Sequence, residues 1–188
     1  MGCGRNGSFD IKPDLNQWAI IIFFEPLEHN DPLKKAIELL GPFISGWWNF
    51  FGVTKHFFLL EPYTGHGSWD GKRFIPSTNT KSIDPSGQIG VLTRASIRLN
   101  KLKAFWGAVP KASKGLNQSK GFIFSVGIGE IPFVKQATFS VWESAEDMKN
   151  YAYKRVEHQE VIRRTRKENW YNEEMFLRFS VLGEHKEV

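Results

Sequence analysis

The chain has 188 residues, 41% hydrophobic and 24% charged, with a net charge of +5. That balance excludes intrinsic disorder and supports one buried core or two small repeats sharing one. A single cysteine, Cys3, excludes internal disulfides, four-Cys iron–sulfur clusters and Cys-based structural zinc, and leaves histidine as the credible axial ligand for any haem.

Seven Trp and 16 Phe point to an aromatic-rich core or to a pocket for a flat or rod-like apolar ligand. No run reaches the ~20 apolar residues of a membrane-spanning helix, and no signal-peptide layout is present, so a cytoplasmic location is expected. The densest basic cluster, Arg163, Arg164, Arg166 and Lys167, has no interleaved stacking aromatics, so nucleic acid is not an expected partner. It reads as a solvated helix face or as a docking patch for an acidic electron-transfer protein.

In chain order, residues 1–16 are rich in Gly, Asn and Asp and read as a loose terminus that includes Cys3. Trp18 to Glu25 is a nearly continuous apolar run ending at Pro26, which predicts a strand covered on both faces. Asp31 and Pro32 open a helix carrying Leu33, Ile37 and Leu40, which Gly41-Pro42 must break or kink. A strand is predicted from Thr54 to Tyr63, so residues 17–63 form a shortened first α+β repeat. Residues 64–88, dominated by Gly, Ser, Thr, Asn, Asp and Pro, read as a linker.

The pattern from 89 to 183 is clearer. A strand over 89–99 leads to a helix capped by Asn100, with Leu102, Phe105, Trp106 and Val109 inward. Two strands follow, 121–130 and 134–142. Ser144 and Asp147 form a capping box that opens a long helix to about Tyr171, and a strand from Met175 to Leu182 ends the repeat. The tail is 184–188. The order β-α-β-β-α-β is ferredoxin-like, so the fold class is α+β, with ferredoxin-like repeats closing into a dimeric-type α+β barrel whose first repeat is truncated. An uncovered sheet face would be a large apolar patch, which makes a homodimer an expected partner state.

His158 is the first candidate for chemistry. On a 100° wheel it shares a sector with Met148, Tyr151, Arg155 and Ile162, so it faces the sheet, either as a satisfied core histidine or as a metal ligand. His29 and Asp31 form a His-x-Asp pair that helix capping already explains. Gly127-Ile-Gly lacks a following helix, so a hairpin turn or bulge is expected there rather than a dinucleotide site. Arg94 and Arg178 fall on strands, where a bare charge needs a partner. Glu130, Glu174 or a ligand's propionates are the candidates.

Several stretches resemble the spheroidene monooxygenase family. They are Trp69-Asp-Gly-Lys, Leu92-Thr-Arg-Ala, Phe105-Trp106 with Val109-Pro110, Gly127-Ile-Gly-Glu-Ile-Pro-Phe, and Gln136-Ala-Thr-Phe-Ser-Val-Trp142. The most distinctive runs from His158 to Glu174, ending near Arg178-Phe179. The resemblance is strongest over 89–183. It implies a haem-dependent monooxygenase that uses O2 and hydroxylates and ketolates an acyclic carotenoid, with electrons from a ferredoxin-type donor. His158 would then be the axial ligand to haem iron, and Arg94, Trp106, Phe139 and Trp142 would line the cofactor pocket. A carotenoid-like apolar substrate also makes association with a membrane surface an expectation. Two alternatives stay open: a non-catalytic barrel that binds haem or an apolar ligand, and a cofactor-free monooxygenase of the dimeric α+β barrel class.

Overall fold

The computed structural model describes residues 1–4, 9–23, 32–74, 87–113, 115–154 and 156–187, with backbone alone at 154 and 156–158. In chain order the strands are β1 (Gly2–Cys3), β2 (Pro13–Asp14), β3 (Lys55–Gly67), β4 (Ile89–Ile97), β5 (Phe122–Ile131), β6 (Lys135–Trp142) and β7 (Tyr171–Glu187). The helices are α1 (Pro32–Phe50), α2 (Leu102–Ser113), α3 (Ala145–Lys154) and α4 (Val156–Lys167). Two compact units divide them: Met1–Ala19 with Pro62–Ser180, and Ile20–Glu61 with Val181–Val188.

In the larger unit β4 pairs antiparallel with both β6 and β7, and β6 pairs with β5. The spatial order β5-β6-β4-β7 is that of two interleaved β-α-β crossovers. The α+β class and the β-α-β-β-α-β order expected from the sequence are therefore present. Apolar residues two apart define each face. Ile89, Val91, Ile97 and Trp142 point toward the helices and pack with Phe105, Trp106, Val109, Met148 and Trp170 in two clusters. Leu92, Arg94, Phe139, Val141, Met175, Leu177 and Phe179 are on the other face by register, and all are buried.

The edge is different from the expected loose terminus. Cys3 is buried in the helix-side core, and Gly2 pairs with Ile128 on β5. Gly127 makes this approach feasible, because a Cβ there would sit 2.1 Å from the carbonyl oxygen of Cys3. Its partner glycine, Gly129, precedes a register shift at Ile131, and the β5–β6 turn places Phe133 at φ 67°. The hairpin-with-bulge expectation for this segment is met.

Other expectations change. The helix predicted from Ser144 is present as α3 and α4, on either side of position 155, which lies outside the described residues, and it ends at Lys167, so that Tyr171 starts β7 instead of ending a helix. The Ser144–Asp147 box itself is present: the Asp147 amide donates to Ser144 Oγ at 3.1 Å, and Ser144 Oγ donates to Asp147 Oδ2 at 2.7 Å. Before α2, Asn100 lies in a single 3-10 turn, Leu99–Lys101, with no side-chain cap.

In the smaller unit, α1 kinks at Gly41 (φ 77°, ψ 167°), where Pro42 removes a backbone donor, and then continues to Phe50. The kink expected at Gly41-Pro42 is found, but the aromatic stretch after it is helical. The apolar run predicted as a buried strand is not one over Trp18–Phe23: those residues take no strand pairing, and Trp18, Ile20, Ile21 and Phe23 are exposed. The rest of that run, Asp31 and His29 lie outside the described residues.

Candidate functional site

Arg94 on β4 is the most constrained polar residue of the larger unit. It is 1% exposed, and its guanidinium meets three carboxylates: Nε donates to Glu130 at 2.9 Å, Nη1 to Glu173 at 2.8 Å and Nη2 to Asp70 at 3.0 Å. Trp69 stacks on the cation, 4.8 Å from ring centroid to Cζ. A buried cation is tolerated only when its hydrogen bonds and charge are answered, and here three separate chain segments answer them.

The turn that brings in Trp69 and Asp70 is closed by a two-way backbone bridge between Trp69 and Lys72. Asp70 adopts φ 48° and Gly71 φ 76°, the left-handed region that Asp and Gly tolerate. Glu173 fastens this turn. Its carboxylate accepts from Ser68 Oγ at 2.6 Å and from the amides of Asp70 at 2.9 Å and Gly71 at 2.8 Å. The Ser68 hydroxyl and the Gly71 amide are the main reasons its carboxyl is held down at about 2, with Arg94 adding to them. Lys135 and then Arg94 hold the Asp70 carboxyl below its usual range, although Asp70 is half exposed. Burial works to lower the Arg94 pKa, but the hydrogen bonds to Glu130, Glu173 and Asp70 outweigh it and raise it.

Register explains the choice of partners. Glu173 stands opposite Ser96, on the face that Arg94 shares, whereas Glu174 stands opposite Ala95 and points to the helix side. Glu130 is thus the sequence-expected partner that is found, and Glu174 is the one that is not. Four segments with the family-like patterns meet at one guanidinium: Trp69-Asp-Gly-Lys, Leu92-Thr-Arg-Ala, Gly127-Ile-Gly-Glu and the stretch ending Asn172-Glu-Glu. Ser68, Asp70 and Glu173 are the members sequence reading missed. The period-two alternation back from Met175 was the signal that could have found Glu173.

The other site candidates do not gather around a common space. Trp106 lies on the helix side, where its indole Nε1 donates to the Phe133 carbonyl at 3.1 Å and its ring packs against Phe9 and Phe105. Trp142 is also on the helix side, donating to Ser140 Oγ at 3.0 Å and wedged between Phe122 and Tyr151. Phe139, with Arg94, lies on the opposite face. His158 belongs to α4, but its side chain is outside the described residues.

These residues do not fit a haem pocket. Arg94, Trp106, Phe139 and Trp142 are split between two faces of one sheet. Each of the three with a polar side chain has donors engaged by the protein, so Arg94 is committed to carboxylates rather than propionates. Arg178 differs: its Nε is buried without a hydrogen-bond partner, and its guanidinium lies over Phe176 at 5.3 Å and contacts Tyr63. Among the described residues no group of three His, Cys, Asp or Glu side chains is arranged to hold a metal ion.

No protein-family model matches the chain. Among solved structures, a Fusobacterium nucleatum protein described as a monooxygenase aligns at a TM-score of 0.47 with 11% identity, over 68% of this chain and 52% of its own. SnoaB from Streptomyces nogalater, a cofactor-independent oxygenase, aligns at 0.42 with 9% identity, over 52% and 95%. The spheroidene monooxygenase of Cereibacter sphaeroides is 33% identical over 184 residues, covering 97% of this chain, and the chain spans only 54% of that protein's length. That of Rhodobacter capsulatus is 32% identical over 189 residues, covering 97% of this chain and 73% of its own length. That of Rubrivivax gelatinosus is 32% identical over 183 residues, covering 97% and 67%. With the likeness running along nearly the whole chain and through most of the Rhodobacter relative, the chain belongs to the spheroidene monooxygenase family.

Proposed function

We propose that this chain is a monooxygenase acting on a carotenoid or a similar long apolar molecule, hydroxylating and then ketolating it with O2 and electrons from a ferredoxin-type donor. The observation that carries the reading is the 32% identity to the Rhodobacter spheroidene monooxygenase over 97% of this chain. The site supports it in a specific way. The sheet face opposite the helices is apolar, through Leu92, Phe139, Leu177 and Phe179, and the Arg94 cation buried on it is surrounded by carboxylates. A rod-like hydrocarbon is repelled by a bare buried charge but not by one neutralised in place. In this reading the turn carrying Trp69 and Asp70 closes one end of that face, and Arg94 positions the turn. Burial of both faces of the sheet supports closure of the fold into an α+β barrel.

Haem enters this proposal through His158 alone, because the other four candidates do not fit it. Reconstitution with hemin tests that part. A Soret band that His158→Ala abolishes or shifts supports the ligand assignment, and an unchanged band removes it.

The function itself is tested by pigment analysis of a carotenoid-producing host, with and without the chain, supplied with a reductant source. Ketocarotenoid appearing only with the chain is the expected result. Unchanged pigments in cells that accumulate folded protein would overturn the proposal.

A further inference from the structure

The second half of α1 inverts the usual arrangement of a surface helix. Residues 42–51 carry no charge, and the side chains half-buried within the smaller unit are Ile44, Ser45 and Trp48. The outward ones are Phe43 at 84% exposure, Phe50 at 83%, Trp47 and, just past the helix, Phe51. Phe43, Trp47 and Phe50 stand at helical spacing i, i+4 and i+7, so they form one stripe. Rings along it touch: Trp47 and Phe51 have centroids 5.3 Å apart, and Phe50 and Phe51 5.0 Å. Scattered exposed apolar residues are ordinary, but a contiguous aromatic stripe is not.

We infer that this stripe docks the protein on the interfacial layer of a lipid bilayer, with α1 lying in the plane of the membrane. Three observations select that occupant. Aromatic rings beside a small polar group, here the exposed Asn49, suit the boundary between headgroups and acyl chains. The stripe offers on the order of 500 Å² of apolar surface, short of the roughly 800 Å² per partner of a stable protein interface, so a second copy is the weaker fit. Finally, no helix among the described residues is long and apolar enough to cross a membrane, so the contact is interfacial. Because the stripe is uncharged, docking rests on ring burial and not on headgroup charge. The inference deepens the proposed function, on which its purpose rests, since a carotenoid-like substrate is dissolved in lipid.

The test uses the full chain and carotenoid-free phosphatidylcholine vesicles, with no turnover measured. A failure of the oxygenase reading therefore leaves its result intact, and the reverse also holds. Wild type should float with the vesicles, and about 0.5 M salt should leave the binding unchanged. Phe43→Ser/Phe50→Ser, checked for folding by circular dichroism, should partition at least about tenfold more weakly. As an independent measure, lipids brominated on the acyl chain should quench tryptophan fluorescence in wild type and quench less in Trp47→Phe. Absence of flotation, release by salt, or quenching unaffected by Trp47→Phe would overturn the inference. So would a wild-type dimer in size-exclusion that the double variant turns into a monomer.

Discussion

Arg94 and Glu173 lie 2.8 Å apart although 79 residues separate them in the chain. Glu173 simultaneously holds the Ser68–Gly71 turn. One carboxylate thus ties the middle of the sheet to a turn that the sequence places in a linker, and the pair sets what the cluster should do when disturbed.

Removing the cation should be costly. Arg94→Met leaves the Asp70, Glu130 and Glu173 carboxylates close together with Lys135 on Asp70, and about 3 kcal/mol of stability should be lost, as when one side of a buried pair is deleted. Arg94→Lys should recover only part of it, because an ammonium cannot reproduce the planar fork. Urea unfolding of the three proteins checks this. A loss under about 1 kcal/mol for Arg94→Met would mean that the carboxylates are simply solvated in its absence.

Acid should act through Glu173. Its carboxyl lies at about 2 in the folded protein against an ordinary 4.5, so the folded state favours the charged form. That contribution is complete above the unfolded value and is lost as pH falls from about 4.5 towards 2. Glu173→Gln should be less stable at neutral pH and should depend less on pH across that window. Parallel denaturant titrations at several pH values would show the two curves converging at the acid end.

The N-terminal edge offers a thiol probe. Burial, and then the Asp10 charge, push the Cys3 pKa up to about 11, so a disulfide reagent should label it slowly at neutral pH. Gly127→Ala places a methyl where the Cys3 carbonyl now lies and should dislodge β1. Labelling at least about tenfold faster in the variant is the expected result. Equal rates would mean that the terminus opens independently of β5.

The α3 cap gives a local control. Ser144→Ala removes the acceptor for the Asp147 amide and should cost about 1 kcal/mol without touching the Arg94 cluster. Thermal unfolding measures it.

Sequence periodicity was a good guide wherever one face of an element met a core. The strands at 89–97, 122–131 and 135–142, the middle of the strand at 171–187 and the inward Phe105, Trp106 and Val109 could be read because apolar residues repeat at two or at 3.6 along them. It misled at Trp18–Phe23, where Trp18, Ile20, Ile21 and Phe23 are exposed and no strand forms, since composition cannot say whether a neighbouring strand exists. It also carried the helix from Ser144 on to Tyr171, whereas α4 ends at Lys167 and Tyr171 starts β7, because a polar run does not mark where a helix stops. At the site, the need of Arg94 for carboxylates followed from charge burial alone. The identity of two of them depended on register and on a turn, both properties of distant pairing that no local window contains.

That dependence has a kinetic side. The partners of Arg94 are contributed by positions 70, 130 and 173, so a chain emerging from the ribosome cannot complete the knot until the start of β7 has been synthesised. Any shortened product ending before Glu173 would lack the carboxylate that joins Arg94 to the Ser68–Gly71 turn, leaving only Asp70 and Glu130 to answer the cation. Nascent fragments of this unit should therefore stay open to proteases until that last acidic residue arrives.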